Sequence, residues 1–441
     1  MNFQPFLLFT VLLLSLSACE IDEQFDPNGP SLSSVLNNAS ETELNLLATG
    51  VEAGIRNGYA GYVVGSGTIA RELYIFDADP RNTEDLLGKE DLMLDNNTFY
   101  ITGPFNASYA TVKNVNIMLE ALQNTDAVTD SEKAGYRGFG NTIKALMLSR
   151  VLDMLGSNGI RVDVADPDNL GPFLSEADSY AALLTLLDDA YADLQNADFA
   201  FTLSGGFVND RVPEDDFSTP ERFARFNRAV AARVATHAAR YQEALNYVNE
   251  SFLNLDGDLT VGPQMIFSTA AGDQLNPLFK TPGQSGDQII VQPDIIANAT
   301  PGDTRLNKFA LRVEATSQDG LNGNYETALY PSATSPIDII RNEELVLIYA
   351  EANINLGNLE EGVAALNVVR NNAGLDDYAG TVSQEALVDE LLYQRTYSLW
   401  GEGHRMFDLR RYGRLNAEYL SIDREGDDIF TQFPIPLSEG V

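Results

Sequence analysis

Few residues in this chain are equipped for chemistry. It holds one cysteine, Cys19, and two histidines, His237 and His404. A thiolate is a nucleophile, and an imidazole is an acid, a base or a metal ligand. Neither histidine sits in an H-E-x-x-H string, and neither G-x-S-x-G nor the phosphate-binding G-x-x-x-x-G-K-[ST] string occurs. Two carboxylates alone can hydrolyse a glycoside. The 64 Asp and Glu residues offer chance pairs everywhere and single out none. The acidic run Asp210 to Asp216 (DRVPEDD) carries the oxygen ligands that calcium takes, but reads as a solvated loop. Glu402, Arg405, Asp408 and Arg411 recur at every third position, so on one helix each reaches the next. They are expected to form a fold-closing charge network. Binding rather than catalysis is expected, with no cofactor and no metal.

The surroundings of Cys19 give it a different use. Phe6 to Leu16 (FLLFTVLLLSL) is apolar and shorter than the ~20 residues that span a bilayer. Its length suits the h-region of a secretory signal peptide. Small residues, Ser17 and Ala18, then precede the thiol. Leu16-Ser17-Ala18-Cys19 resembles the lipobox of bacterial lipoproteins, which implies cleavage before Cys19 and a lipid on its sulfur. The preceding MNFQPF lacks the Lys or Arg that such signals usually carry. With one cysteine, no disulfide can form within the chain. Residues 1–18 are thus expected to be a signal peptide and 19–39 a lipidated tether. Glu20 to Ser34 is acidic and broken by Pro27, Gly29 and Pro30.

The formal net charge is −36 over 441 residues. That argues against nucleic acid, whose phosphates want basic patches, and against adsorption to anionic lipid. A hydrophobic content of 44% is enough for a real core.

Residues 40–441 are expected to be a single, mainly helical body. Apolar periodicity predicts a first helix over Ser40 to Ile55. The Gly- and Tyr-rich Asn57 to Gly67 (NGYAGYVVGSG) is expected to be an exposed loop. Four helix pairs follow: Asn106–Gln123 with Ser131–Leu155, Ser175–Gln195 with Pro220–Phe252, Pro336–Leu356 with Leu359–Ala373, and Ser383–Trp400 with Glu402–Tyr412. In the third pair Leu345, Ile348, Ala352 and Leu356 form one apolar stripe, and Gly357 stops the helix. Ala364, Ala365, Val368 and Val369 give the next helix a face for close packing. Such hairpins are the unit of tetratricopeptide-type repeats, here degenerate, with no strict period. Between the second and third pairs, residues 254–335 are rich in Gly, Pro, Asp and Asn. They are expected to be an irregular insertion on the ligand-facing side.

Residues 336–441 carry a denser signature. Ile340-Arg341-Asn342-Glu343-Glu344-Leu345 through Tyr349-Ala350-Glu351-Ala352 looks like an "R-x-E-x-L-L-x-A-E-A" helix. Ala365-Leu366-Asn367-Val368-Val369-Arg370 with Ala373-Gly374 looks like "L-N-x-V-R-x-x-A-G". Glu402-Gly403-His404-Arg405-Met406-Phe407-Asp408-Leu409-Arg410-Arg411 looks like "E-G-H-R-x-x-D-L-R-R", and Phe433-Pro434-Ile435-Pro436 with Glu439 like "F-P-I-P-x-x-E". In order and spacing these resemble the SusD/RagB family of nutrient-binding outer-membrane lipoproteins. Tyr109 and Asn116, and the Ala-rich Phe223 to Leu245, resemble the family more loosely. Gln394-Arg395 and Ser398-Leu399 depart from its usual Glu-Arg and Glu-Leu.

The resemblance implies a non-enzymatic, surface-exposed lipoprotein of the outer membrane. It would capture a glycan, or a peptide, as the lid of a SusC-type TonB-dependent transporter. Readings of another class are a helical-repeat scaffold that binds proteins and, behind it, a carboxylate glycosidase. Sugars are held by aromatic rings and by polar side chains that read hydroxyls. The only tryptophan, Trp400, falls in a repeat helix and is assigned to packing. The candidate ligand region is therefore Tyr59, Tyr62, Tyr74, Phe99, Tyr100 and Phe105, with Tyr325 and Tyr330 from the insertion. Arg71, Asp79, Arg81 and Asn82 are candidate polar contacts.

Overall fold

The computed structural model describes residues 32–209 and 215–440. The expected signal peptide, Cys19, most of the tether and residues 210–214 lie outside the described residues. A seven-residue helix, α1 (Leu32–Asn38), occupies the end of the expected tether, where Val35 and Ala39 are buried. The expected first helix is α2 (Glu41–Gly54), opened by a capping box. The Ser40 hydroxyl accepts from the Glu43 N–H, and Glu43 accepts from the Ser40 N–H at 2.8 Å.

The Gly- and Tyr-rich stretch is not an exposed loop but a buried helix, α3 (Tyr59–Ile69). It has no charge to keep it at the surface, and its glycines let other chain segments come close. A Cβ on Gly61 would lie 2.9 Å from Pro104 Cγ. Burial on most sides overrides the poor helix propensity of glycine.

From α3 the chain enters a short buried strand, β1 (Leu73–Asp77), and a long loop. Helices α4 (Phe99–Gln123), α5 (Asp130–Leu155), α6 (Glu176–Leu194), α7 (Pro220–His237) and α8 (Tyr241–Glu250) follow. Helix α4 begins seven residues before the expected Asn106. The single helix expected over Pro220–Phe252 breaks into α7 and α8, because Ala239 takes the left-handed conformation at φ 54°. The Arg240 N–H then turns back to the Ala235 carbonyl at 2.8 Å. Helix α5 is the centre of the body, and Ala145 to Leu155 on it are buried without interruption.

The insertion is more regular than expected. It supplies β2 (Gln264–Met265), β3 (Asp287–Val291), α9 (Pro293–Ala297), β4 (Phe309–Gln318), β5 (Leu321–Thr327) and, just after it, β6 (Ile337–Asp338). β1, β3, β5 and β4 pair in that order, all antiparallel. Strand β1 pairs Leu73 with Val291, more than 200 residues away in sequence, so no local pattern announces this sheet. The β4–β5 hairpin turns on Asp319-Gly320, both at positive φ, the Asp-Gly pair that two-residue hairpins favour.

Helices α10 (Asn342–Leu356), α11 (Leu359–Asn372), α12 (Gln384–Ser398) and α13 (Arg405–Arg411) complete the body. Leu345, Ile348 and Ala352 are buried as expected, whereas Leu356 is exposed. Gly357 ends α10 at φ 84°. The close crossing onto α11 rests on Gly362 as much as on the alanines: a Cβ there would lie 2.6 Å from Ile354 Cγ1. Ala364, expected in the contact, is exposed. The protein is mainly helical, and consecutive helices pack in pairs, α4 with α5, α7 with α8 and α10 with α11. One large apolar core joins α2 through α8 to Trp400 and Phe433, and a second lies among α10, α11 and α12.

Candidate functional site

The signature region builds a buried charge network, differently wired from the expected ladder. Only Asp408–Arg411 forms as predicted, at 2.9 Å. Glu402 precedes α13 in a turn and pairs with Arg341 instead. Arg405 makes no ion pair among the described residues; it donates to the Ala70 carbonyl at 3.1 Å and to the Thr396 hydroxyl at 2.6 Å. Asp408 is held by Arg395 at 2.6 Å, and Arg411 also grips the buried Glu351. Arg233 clasps Glu344 with two bonds of 2.6 Å. Burial alone would raise the pKa of Glu344, but Arg233 outweighs it and brings it down to about 2. Burial pushes His404 down to about 4. At the positions departing from the resemblance, Gln394 bonds Glu390 at 2.7 Å and the Ser398 hydroxyl accepts from Arg305 at 2.9 Å.

Trp400 belongs to this packed interior. It meets Phe309 edge-on with centroids 4.8 Å apart and donates to the Glu72 carbonyl at 3.1 Å. Burial lifts the Glu72 carboxyl to about 7.

Most of the predicted ligand residues are interior as well. Tyr59 donates to the Glu402 carbonyl at 3.2 Å, with Arg150 over its ring at 4.8 Å. Tyr62 stacks on Phe407 and donates to Asp153. Phe105 packs on Tyr109, with centroids 4.7 Å apart. Arg71 and Tyr74 both bond Asp423. Asn82 is buried and donates to Asp77 at 2.9 Å. A buried ring presents no face to a ligand, so these residues support the surface rather than form it. Tyr325 is half-buried on β5, opposite Leu311, and Tyr330 is half-buried beside Trp400.

The structure does bring Arg81, Phe99 and Tyr100 together where the loop after β1 meets the start of α4. Asp79 accepts from the Arg81 backbone N–H at 3.1 Å and from its guanidinium at 2.9 and 2.6 Å. That guanidinium stands 4.8 Å from the centroid of Phe99. Phe99 meets Tyr100 edge-on at 5.6 Å and remains 41% exposed. The Tyr100 hydroxyl, itself buried, accepts from the Asp95 N–H and donates to Asp85 at 3.2 Å. Met93 and Leu92, exposed in the same loop, were not singled out by sequence; nothing in their local pattern marks them.

This loop is latched in place. Asp319 at the hairpin tip pairs with both Lys89 and Arg424, and Lys89 also reaches Glu84 at 3.1 Å. Gln318 donates to the Asp77 carbonyl at 2.9 Å. Thus β1, the loop and the hairpin of the insertion converge on one surface, with an aromatic ring at its edge and polar groups beside it. Among the described residues no group of three His, Cys, Asp or Glu could hold a metal ion, and no helix is long and apolar enough to cross a membrane.

Residues 287–437 match the sequence model of the SusD family. A comparison with curated proteins finds no match. Among solved structures, surface glycan-binding protein A from Bacteroides thetaiotaomicron is similar, with a TM-score of 0.71, 16% identity, and 92% of this chain and 97% of that one covered. The same protein in complex with laminarihexaose gives 0.72, 15%, 91% and 97%. A SusD superfamily protein from Bacteroides vulgatus gives 0.67, 17%, 91% and 96%. At these identities the structural likeness speaks for the fold.

Proposed function

From the SusD-family match over residues 287–437 and the shared fold, we propose that the chain is a SusD-family member and a non-enzymatic, surface-exposed glycan-binding lipoprotein. The observation that carries this reading is the half-exposed Phe99, held by Arg81 and Tyr100 beside the polar loop residues. Sugar rings present apolar C–H faces and polar edges, which suits an exposed ring flanked by charge-assisted donors and acceptors. Solved neighbours named as glycan-binding, one of them holding laminarihexaose, add support.

In the same reading, lipid on Cys19 holds the body at the outer membrane, facing outward. A SusC-type TonB-dependent barrel is the partner, with the body as its lid. The acidic tether would keep the effective concentration of the lid at the barrel high. Cys19→Ala should move the protein out of the membrane fraction; retention there would refute the anchor.

The binding test is calorimetry of the body from Leu32 onward against a panel of polysaccharides, laminarihexaose and oligopeptides. At least one glycan should bind, and Phe99→Ala should weaken it by about tenfold or more, the scale of 1–3 kcal/mol for a stacked ring. Binding unaffected by Phe99→Ala, or confined to peptides, would overturn the proposal.

A further inference from the structure

We propose that a cavity separate from the Phe99 surface is a binding site for a small neutral polyhydroxylated ligand, about the size of one sugar ring. The cavity has a volume of about 320 Å³ and lies where α5, α6, α7 and α13 meet residues 431 and 432. It shares no lining residue with the Phe99 surface.

What points to a ligand is a set of polar groups left without protein partners among the described residues. Tyr180 is only 6% exposed, yet its hydroxyl has no hydrogen bond to any described residue. His237 sits beside it with Nδ1 2.7 Å from Asp153 Oδ1. The other Asp153 oxygen accepts from the Tyr62 hydroxyl at 3.2 Å. A carboxylate that accepts on both oxygens fixes the proton on His237 Nδ1. In the neutral ring Nε2 is then an acceptor with no partner among the described residues, and the side chain is 5% exposed. Arg410 has no carboxylate within ion-pair distance among the described residues. Its Nη1 donates to the Asp153 and Thr431 carbonyls, and its remaining N–H groups have no acceptor among them. Its neighbour Arg411, by contrast, is paired with both Glu351 and Asp408. Glu176, from the first turn of α6, lines the cavity with no cation paired to it among the described residues.

The mixture selects the ligand. An anion would meet Glu176, Asp153 and the Nε2 lone pair. A cation would meet Arg410. A hydroxyl both donates and accepts, so an array of hydroxyls can give protons to His237 and Glu176 while taking them from Tyr180 and Arg410. Phe407, buried and stacked on Tyr62, closes the floor of the cavity beneath Arg410. The volume stands at the lower end of small-molecule sites.

The chain's two histidines make the test direct. The full chain, labelled with ¹³C at the imidazoles and held in a detergent without a sugar headgroup, is titrated with D-glucose, D-galactose and D-mannose to about 50 mM, the range for millimolar affinities. At least one sugar should move the His237 resonances saturably and leave His404 in place. Tyr180→Phe keeps the ring and should weaken that response about fivefold, the scale of one neutral hydrogen bond. The inference falls if none of the three sugars moves His237, if only a charged probe such as inorganic phosphate does, or if Tyr180→Phe changes nothing. Phe99→Ala should leave the His237 response intact, so failure here and failure of the glycan platform are told apart.

Discussion

The signature region, residues 337–439, and the loop region, residues 73–100, use the same ion-pair chemistry to opposite ends. In the first, the carboxylates of Glu351 and Asp408 are buried, and each is gripped by arginine. Two such charges cost several kcal/mol each to desolvate, and the pairing makes their burial tolerable. In the second, Arg81 and Asp79 pair while their side chains stay 47% and 30% exposed. A pair in water is worth ~1 kcal/mol or less, so its use there is orientation: Asp79 aims a guanidinium at Phe99. The difference teaches that the residues carrying the family resemblance hold the body together, whereas the residues proposed to meet a ligand belong to no motif.

Three substitutions break or sharpen this contrast. Arg411→Ala should have the largest effect, because it leaves Glu351 buried and undercompensated. A loss of about 3–5 kcal/mol is expected in urea unfolding, and a loss below about 1 kcal/mol would put the two regions on the same footing.

Next comes Glu72, which lies at the seam between the regions, under Trp400. Its carboxyl is raised from 4.5 to about 7, so the folded state prefers the protonated form. Below pH 4.5 both states are protonated and nothing is lost. As pH rises from 4.5 to about 7 the unfolded chain ionises first and the fold loses about 3 kcal/mol, at about 1.4 kcal/mol per pH unit. His404, lowered to about 4, works in the opposite sense, losing its contribution as pH falls from 6.5. Because His404 stays, the difference between wild type and Glu72→Gln isolates Glu72. The variant should gain stability relative to wild type across pH 4.5–7 and by a constant amount above it. A pH-independent difference would refute the burial of this carboxyl.

The smallest effect belongs to Arg81→Ala. Glycan affinity should fall about two- to fivefold, the scale of an exposed cation–π contact, and unfolding stability should stay within about 0.5 kcal/mol. A large stability loss would make the loop structural after all.

The helical body was largely legible because long amphipathic runs with capping residues, such as Ser40 with Glu43, declare themselves locally. The misread segments share one cause. Asn57 to Gly67 looks like a loop to any local rule, yet burial against Pro104 and Phe433 makes it α3. The insertion looked irregular because β1 and β3 find each other only across the fold. Of the candidate ligand residues, those in the stretch 79–100 lie nearest the surface proposed above, but local sequence could not separate Phe99 from Tyr100. One is the first helical residue facing out and the other is buried beside it, a difference of one position on α4.

By itself the sequence determined the helical class, the excess of negative charge, the lipobox-like string before Cys19 and the signature motifs with their spacing. Each of these is local: a period, a composition or a short string. Only the tertiary structure decided who pairs with whom. Glu402 left the expected ladder for Arg341, Arg405 turned to backbone and Thr396, and Tyr180, His237 and Arg410 converged on one cavity from three helices. The physical reason is that desolvation and packing act between surfaces that meet only when the chain has folded. Spacing along the chain records which groups can be neighbours on one element, not which element will lie against it.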